Sequence, residues 1–112
     1  MHKIAVIGGD GTGPEVIREG LKALKAISER FSIEFDFQEM NIDGTRYLKT
    51  GELLTSTDIG ALKECDAIYL GAIGHPDIQP GVLERGILLK LRFDFDQYIN
   101  YRPVKLYPNV DS

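Results

Sequence analysis

The sequence is poor in features that would commit it to several common classes. It has a single cysteine, Cys65, among 112 residues, which excludes an internal disulfide and suits a reducing compartment. That thiol stands just before the apolar run AIYLG and reads as a packed side chain. No apolar run approaches the length of a membrane span, and MHKIAVIGGD is too short and too soon interrupted for a signal peptide. There is no basic excess: 13 Lys and Arg stand against 17 Asp and Glu, for a net charge of -4. The cations are scattered, so neither nucleic acid nor an anionic membrane is an expected partner. Internal repeats and low-complexity segments are also lacking. What is present is 43% hydrophobic residues, enough for the core of one small domain. The expectation is a cytoplasmic globular protein, or part of one.

A further absence sits inside a motif. GGDGTGPEV, residues 8–16, follows the apolar run IAVI and precedes IREGLKALKAI, the order strand, glycine-rich turn, helix. A Rossmann fingerprint needs glycines for the turn, for the pyrophosphate approach and for helix packing, in the spacing G-x-G-x-x-G. Here Gly9, Gly11 and Gly13 alternate and Pro14-Glu15 follow, so the third glycine is out of place. The G-K-[ST] ending of a P-loop is missing too. Pro14 suits the first helical position and Glu15 suits the positive end of the helix dipole, but the Glu15 carboxylate disfavours a phosphate there.

Along the rest of the chain, Ile17, Leu21, Leu24 and Ile27 recur at helical spacing with charged residues between them. FSIEFDF alternates, placing Phe31, Ile33, Phe35 and Phe37 on one face of a strand. Asp43-Gly44 and Thr50-Gly51 signal turns, and TSTD signals a cap ahead of a short helix ending near Cys65. AIYLGAIG reads as a strand covered on both faces. Alternating strands and helices imply βαβ units and a parallel sheet. HPDIQPG then forms a loop, VLERGILLKLRF a helix and DQYINYRPVKLYP an extended arm that needs a sheet neighbour for its backbone groups. The expected fold is therefore α/β, a parallel sheet with flanking helices, incomplete as a domain.

On the helix ERGILLKLR, Arg85, Leu88 and Arg92 fall at i, i+3 and i+7, within roughly 60° of one another. Leu83, Ile87 and Leu91 form the neighbouring apolar stripe. Two guanidinium groups around a leucine would suit a ligand with carboxylates and a small alkyl group, because arginine binds carboxylate bidentately. Taken in order, GGDGTGPEV, LGAIGHP and LERGILLKLRFDFDQYINYRPV resemble the N-terminal third of the β-decarboxylating dehydrogenases of 3-isopropylmalate, isocitrate, tartrate and D-malate. The most specific parts are G-D-G-x-G-P-E and the pair Arg92 and Arg102, ten residues apart with Pro103 after the second.

The resemblance implies a non-Rossmann isopropylmalate-dehydrogenase-like fold. Residues 1–98 would belong to the large α/β domain, and residues 99–112 would be a crossing strand at the start of a small dimerisation domain. It implies NAD, with NADP as the alternative, and Mg²⁺ or Mn²⁺, a small 2-hydroxy acid as substrate and a homodimer. By position, Leu88, Arg92 and Arg102 resemble substrate-binding residues, and Gly11, Thr12, Ile73, Gly74 and Glu84 cofactor-binding ones. Family isocitrate enzymes carry a serine and an asparagine six and four residues before the first arginine, where this chain has Gly86 and Leu88. An apolar pocket leaves a third carboxylate uncompensated, so 3-isopropylmalate is favoured and tartrate or D-malate comes second. Departures exist as well: Arg85 stands where a glutamate is common, displacing that glutamate to Glu84, and FDQYIN is similar to the tartrate and D-malate branch. No catalytic or metal-binding residue is expected within the chain, which alone should be inactive. Asp10 reads as a turn residue, Asp94 and Asp96 as solvent-facing, and His75 as a loop histidine. A complete, non-catalytic α/β binding module is the alternative of another class.

Overall fold

In the computed structural model, which describes residues 1–112, three parallel strands form one sheet in the order β2-β1-β3. Strand β1 (His2–Ile7) lies in the centre, pairing β2 (Phe35–Glu39) from His2↔Phe35 and β3 (Ala67–Leu70) from Ile4↔Ala67. Its last three residues, Ala5, Val6 and Ile7, are buried because both neighbours and both faces cover them.

Helix α1 (Gly13–Phe31) starts one residue before Pro14, which occupies the second helical position, where its missing N–H is equally harmless. Only the first part of its apolar stripe is covered. Ile17 is buried and Leu21 and Leu24 are half-buried, but Ile27 and Phe31 are exposed. The alternation in FSIEFDF does not make a strand from Phe31. The helix runs through Phe31 and stops at Ser32, in the left-handed conformation, so the strand begins at Phe35. Within it Phe35 and Phe37 do share a face, their ring centroids 5.7 Å apart.

Asp43-Gly44 is a helix start rather than a turn. The Asp43 carboxylate accepts from the Arg46 N–H and caps α2 (Gly44–Thr50), which ends at Gly51 with φ of 75°. Helix α3 (Ser56–Lys63) opens with the expected cap, a reciprocal box between Thr55 and Asp58. Arg46 joins these two helices: its guanidinium pairs with Asp58 at 2.6 Å and donates to the Leu53 carbonyl. Cys65 is half-buried against the core, its Sγ 3.6 Å from the Ala61 carbonyl.

Strand β3 ends at Leu70, four residues short of the apolar run. It is an edge strand here, half-buried rather than covered on both faces. After the loop, a π-helical stretch Glu84–Leu89 continues into α4 (Lys90–Asp94). Its Leu83, Ile87 and Leu91 are the expected apolar stripe and are buried with Ile7, Ile42, Leu54 and Leu62 in one core. Each such side chain contributes about 1.5–3 kcal/mol. Residues 98–112 are exposed and pair with no strand, so the expected extended arm has no sheet neighbour in this chain. No helix is long and apolar enough to cross a membrane.

Candidate functional site

The loops that follow β1, β2 and β3 meet at the carboxyl ends of the strands, where open α/β sheets place their ligands. Asp10 holds them together. It is 7% exposed, and its carboxylate accepts from the Gly44 N–H (2.8 Å to Oδ2, 3.1 Å to Oδ1) and from the Gly74 N–H (3.1 Å). Its own N–H donates to the Ala72 carbonyl at 2.7 Å, and its carbonyl accepts from Gly13 at 2.8 Å. Asp10 is thus a turn residue, as its bond from the Gly13 N–H shows, whose buried side chain also joins two other loops. Its partners lie 34 and 64 positions away, so no local pattern reveals them; the only signal is an aspartate enclosed by glycines.

Two glycines explain how the loops come so close. Gly9 has φ of 82°, and a Cβ there would overlap the Ala72 carbonyl oxygen. A Cβ on Gly44 would stand 2.9 Å from the His75 Cβ and 3.1 Å from Asp10 Oδ2. The Gly44 and Gly74 N–H groups are both occupied by Asp10. Neither is free for a phosphate, in keeping with the failed Rossmann spacing.

Of the expected cofactor residues, Gly11, Thr12, Ile73 and Gly74 are brought to this junction, each within two positions of Asp10 or of its partner Gly74. Beyond their own sequence neighbours, Gly11 and Gly74 have no atom of the chain within 4 Å of where a Cβ would stand. Thr12 is exposed at the start of α1 and makes no side-chain cap. Ile73 packs its side chain against the core. Glu84 is differently engaged: its carboxylate accepts from the Gly81 N–H at 2.8 Å. His75 Nδ1 accepts from the Asp77 N–H at 3.1 Å.

Leu88 and Arg92, one α-helical turn apart in sequence, line one depression with Ile68, Leu70, Leu91 and Gln97. Arg92 also borders a second, with Leu89, Phe93 and Tyr98. Arg85 does not join them. The wider π-helical turn breaks the simple wheel, and a Cβ at Gly81 would lie 3.8 Å from the Arg85 guanidinium carbon. Arg102 is exposed on the terminal segment and lines neither depression. A separate crevice between α1 and β2, lined by Arg18, Asn41 and Asp43, collects none of the expected residues.

The two titratable groups that are clearly perturbed are Arg46 and Asp58. Burial raises the Asp58 pKa, but bonds from Arg46 and Thr55 outweigh it, leaving the carboxyl below its ordinary value. The hydrogen bond to Asp58 likewise holds Arg46 above its own.

A parallel α/β layer whose βα loops are bound through one aspartate, with a leucine and an arginine on a neighbouring helix, is the architecture of an open α/β protein with a ligand cleft at the carboxyl ends of its strands. Family comparison makes this specific: the chain belongs to the isocitrate/isopropylmalate dehydrogenase family, whose model matches residues 3–112. It is 52% identical over 111 residues to the 3-isopropylmalate dehydrogenase of Corynebacterium glutamicum, covering 98% of this chain and 32% of that protein. To the 3-isopropylmalate dehydrogenase of Thermobifida fusca it is 51% identical over 110 residues, covering 98% and 31%. Among solved structures, the apo β-decarboxylating dehydrogenase of Thermococcus kodakarensis superposes with a TM-score of 0.68 at 30% identity, over 88% of this chain and 28% of that one. The chain spans about a third of the length of the curated relatives it matches.

Proposed function

We propose that this chain supplies part of an NAD-dependent dehydrogenase that oxidises and decarboxylates 3-isopropylmalate in leucine biosynthesis. The observation that carries the choice of substrate is the depression shared by Leu88 and Arg92. An exposed guanidinium can take a carboxylate through two parallel N–H bonds, while the leucine beside it offers apolar surface to a branched alkyl group. That relatives at about half identity are named 3-isopropylmalate dehydrogenases supports the same choice. A non-catalytic binding module loses its ground, because the family match runs through nearly the whole chain.

Arg92 and Arg102 orient the substrate carboxylates, and Leu88 discriminates by the group between them. A bound NAD, or NADP, would supply the acceptor for the hydride on the carbon bearing the hydroxyl. The Gly11–Thr12 turn and the Ile73–Gly74 loop fit such a cofactor, since the open space at both glycines admits an outside group against the backbone. Glu84 accepts from the Gly81 N–H through Oε2 and keeps Oε1 for the cofactor. No three His, Cys, Asp or Glu side chains gather closely enough to hold an ion, so residues 1–112 do not fit the Mg²⁺ or Mn²⁺ of the reaction and contribute arginines and backbone instead. Residues 99–112 are assigned to a second, dimerisation domain, the assembly to a homodimer and the location to the cytoplasm.

The test uses the complete gene product that carries this sequence, assayed for NADH formation with 3-isopropylmalate, D-malate, tartrate and isocitrate. 3-Isopropylmalate is expected to give the highest kcat/KM. Leu88→Ala should lower its preference over D-malate by about 10- to 200-fold, the worth of a few apolar contacts. Arg92→Lys should weaken all malate-type substrates alike, because the bidentate fork is lost. Equal losses on both substrates for Leu88→Ala would make the leucine a core residue and remove the case for 3-isopropylmalate.

A further inference from the structure

Asp10 is the one charged side chain in the buried set, and it pairs with no cation: none of the salt bridges includes it. A buried carboxylate is retained at a cost unless its oxygens are bonded, and here the bonds come only from the backbone of two distant loops. Those loops are the Asp43–Gly44 helix start and the Ile73–Gly74 segment, and Asp10 itself precedes the Gly11–Thr12 turn. The main chain reinforces the junction, through Asp10 N to Ala72 O and Gly13 N to Asp10 O. Core packing alone does not fix Gly74. Its residue is exposed and, beyond its sequence neighbours, has nothing around its missing Cβ, so the bond to Asp10 Oδ2 is what ties its N–H to the β1 loop.

We infer that Asp10 is a positioning residue for the dinucleotide: its carboxylate sets the spacing between the Gly11–Thr12 turn and the Ile73–Gly74 loop across which the cofactor lies. It touches no ligand and acts through the Gly44 and Gly74 N–H groups. This rests on the reading of those four residues as a cofactor cleft. The residue type follows from the task, since a carboxylate is acceptor-only and both oxygens can face N–H donors without a clash. Asparagine keeps one carbonyl oxygen, able to take the Gly44 and Gly74 N–H groups together, but turns an NH₂ toward the shared Gly44 bond. Alanine leaves the buried Gly44 N–H and the part-buried Gly74 N–H without their partner.

The experiment compares the complete wild-type protein with Asp10→Ala and Asp10→Asn, measuring KM for NAD, KM for 3-isopropylmalate, kcat, and amide hydrogen exchange at Gly44 and Gly74. Asp10→Ala should raise KM for NAD by about tenfold, the effect of losing the bond that holds the Gly74 loop, with a smaller change in KM for 3-isopropylmalate. Asp10→Asn should recover most of that loss, and exchange at Gly74 should quicken in the order wild type, Asn, Ala. If Asp10→Ala does not fold, Asp10→Asn carries the test through faster Gly74 exchange together with a raised KM for NAD. A folded variant with faster exchange but unchanged KM for NAD would overturn the proposal, leaving Asp10 merely structural; unchanged exchange would overturn it outright. A wild-type protein without NAD-dependent turnover would instead sink the proposed function, and with it the positioning role.

Discussion

Glycine serves two purposes around Asp10, and substitution separates them. At Gly9 the chain needs glycine for its own sake: φ is 82° and a Cβ would overlap the Ala72 carbonyl. Gly9→Ala should therefore destabilise the fold by more than about 1 kcal/mol, since alanine is strained where φ is positive. Gly74 has neither a positive φ nor, beyond its sequence neighbours, any atom of the chain near the missing Cβ. Gly74→Ala should leave thermal stability equal or raise it by about 0.4–1 kcal/mol through the unfolded state. If an outside group passes over Gly74, the same methyl should raise KM for NAD. Melting curves and NAD titrations on the two variants read these effects separately. A stable Gly74→Ala protein with wild-type KM for NAD would mean that nothing binds against this backbone. The sequence names the glycines but does not sort them, because the distinction depends on which segment lies across the turn.

At the scale of elements, the Arg46–Asp58 pair decides how α2 and α3 stay together beside the core. Both side chains are mostly covered, at 21% and 16% exposure, so breaking the pair leaves a partner poorly solvated and should cost about 1–3 kcal/mol. The pH dependence follows from the lowered Asp58 pKa. A carboxyl held below its unfolded value stabilises the fold at pH above that value, near 4, and the contribution is lost as pH falls through the folded pKa. The stability gap between wild type and Asp58→Asn should accordingly be full at pH 7 and shrink below about pH 4. A gap constant down to pH 2 would show that the ion pair contributes nothing. Arg46, raised above an already high value, adds no transition in the working range. The Thr55 cap was legible because its box is local, four consecutive residues with their own hydrogen bonds. Arg46 was not, since its partner is 12 positions away. The same limit produced the error at Phe31: apolar alternation over FSIEFDF continues smoothly across a helix end that only the left-handed Ser32 marks. Asp43-Gly44 is ambiguous for a related reason, since a turn and a capped helix start use the same two residues.

For the molecule as a whole, a radius of gyration of 15.6 Å exceeds the roughly 13 Å of a compact chain of this length, and the excess points to the terminal segment. Tyr98, Ile99, Tyr101, Val104, Leu106 and Tyr107 are all more than 60% exposed. In this structure the rest of the chain leaves that aromatic and aliphatic run uncovered. The parallel α/β layer and the Leu83–Ile87–Leu91 stripe were legible because periodicity reports local packing. The covering of the arm was not, because it depends on surfaces outside its own pattern. In the 112-residue chain, amides of residues 99–112 should exchange at the earliest measured time, while those of Ala5, Val6 and Ile7 should exchange last. Ending the chain at Gln97 should change stability by no more than about 0.5 kcal/mol, as for other exposed sites, a shift of only a few degrees in Tm. Protection of the Tyr101–Tyr107 amides comparable to that of β1, or a large fall in Tm on truncation, would mean that the arm packs against the layer. Arg102 would then be held in place by this chain itself, and the assignment of residues 99–112 to a second domain would fall.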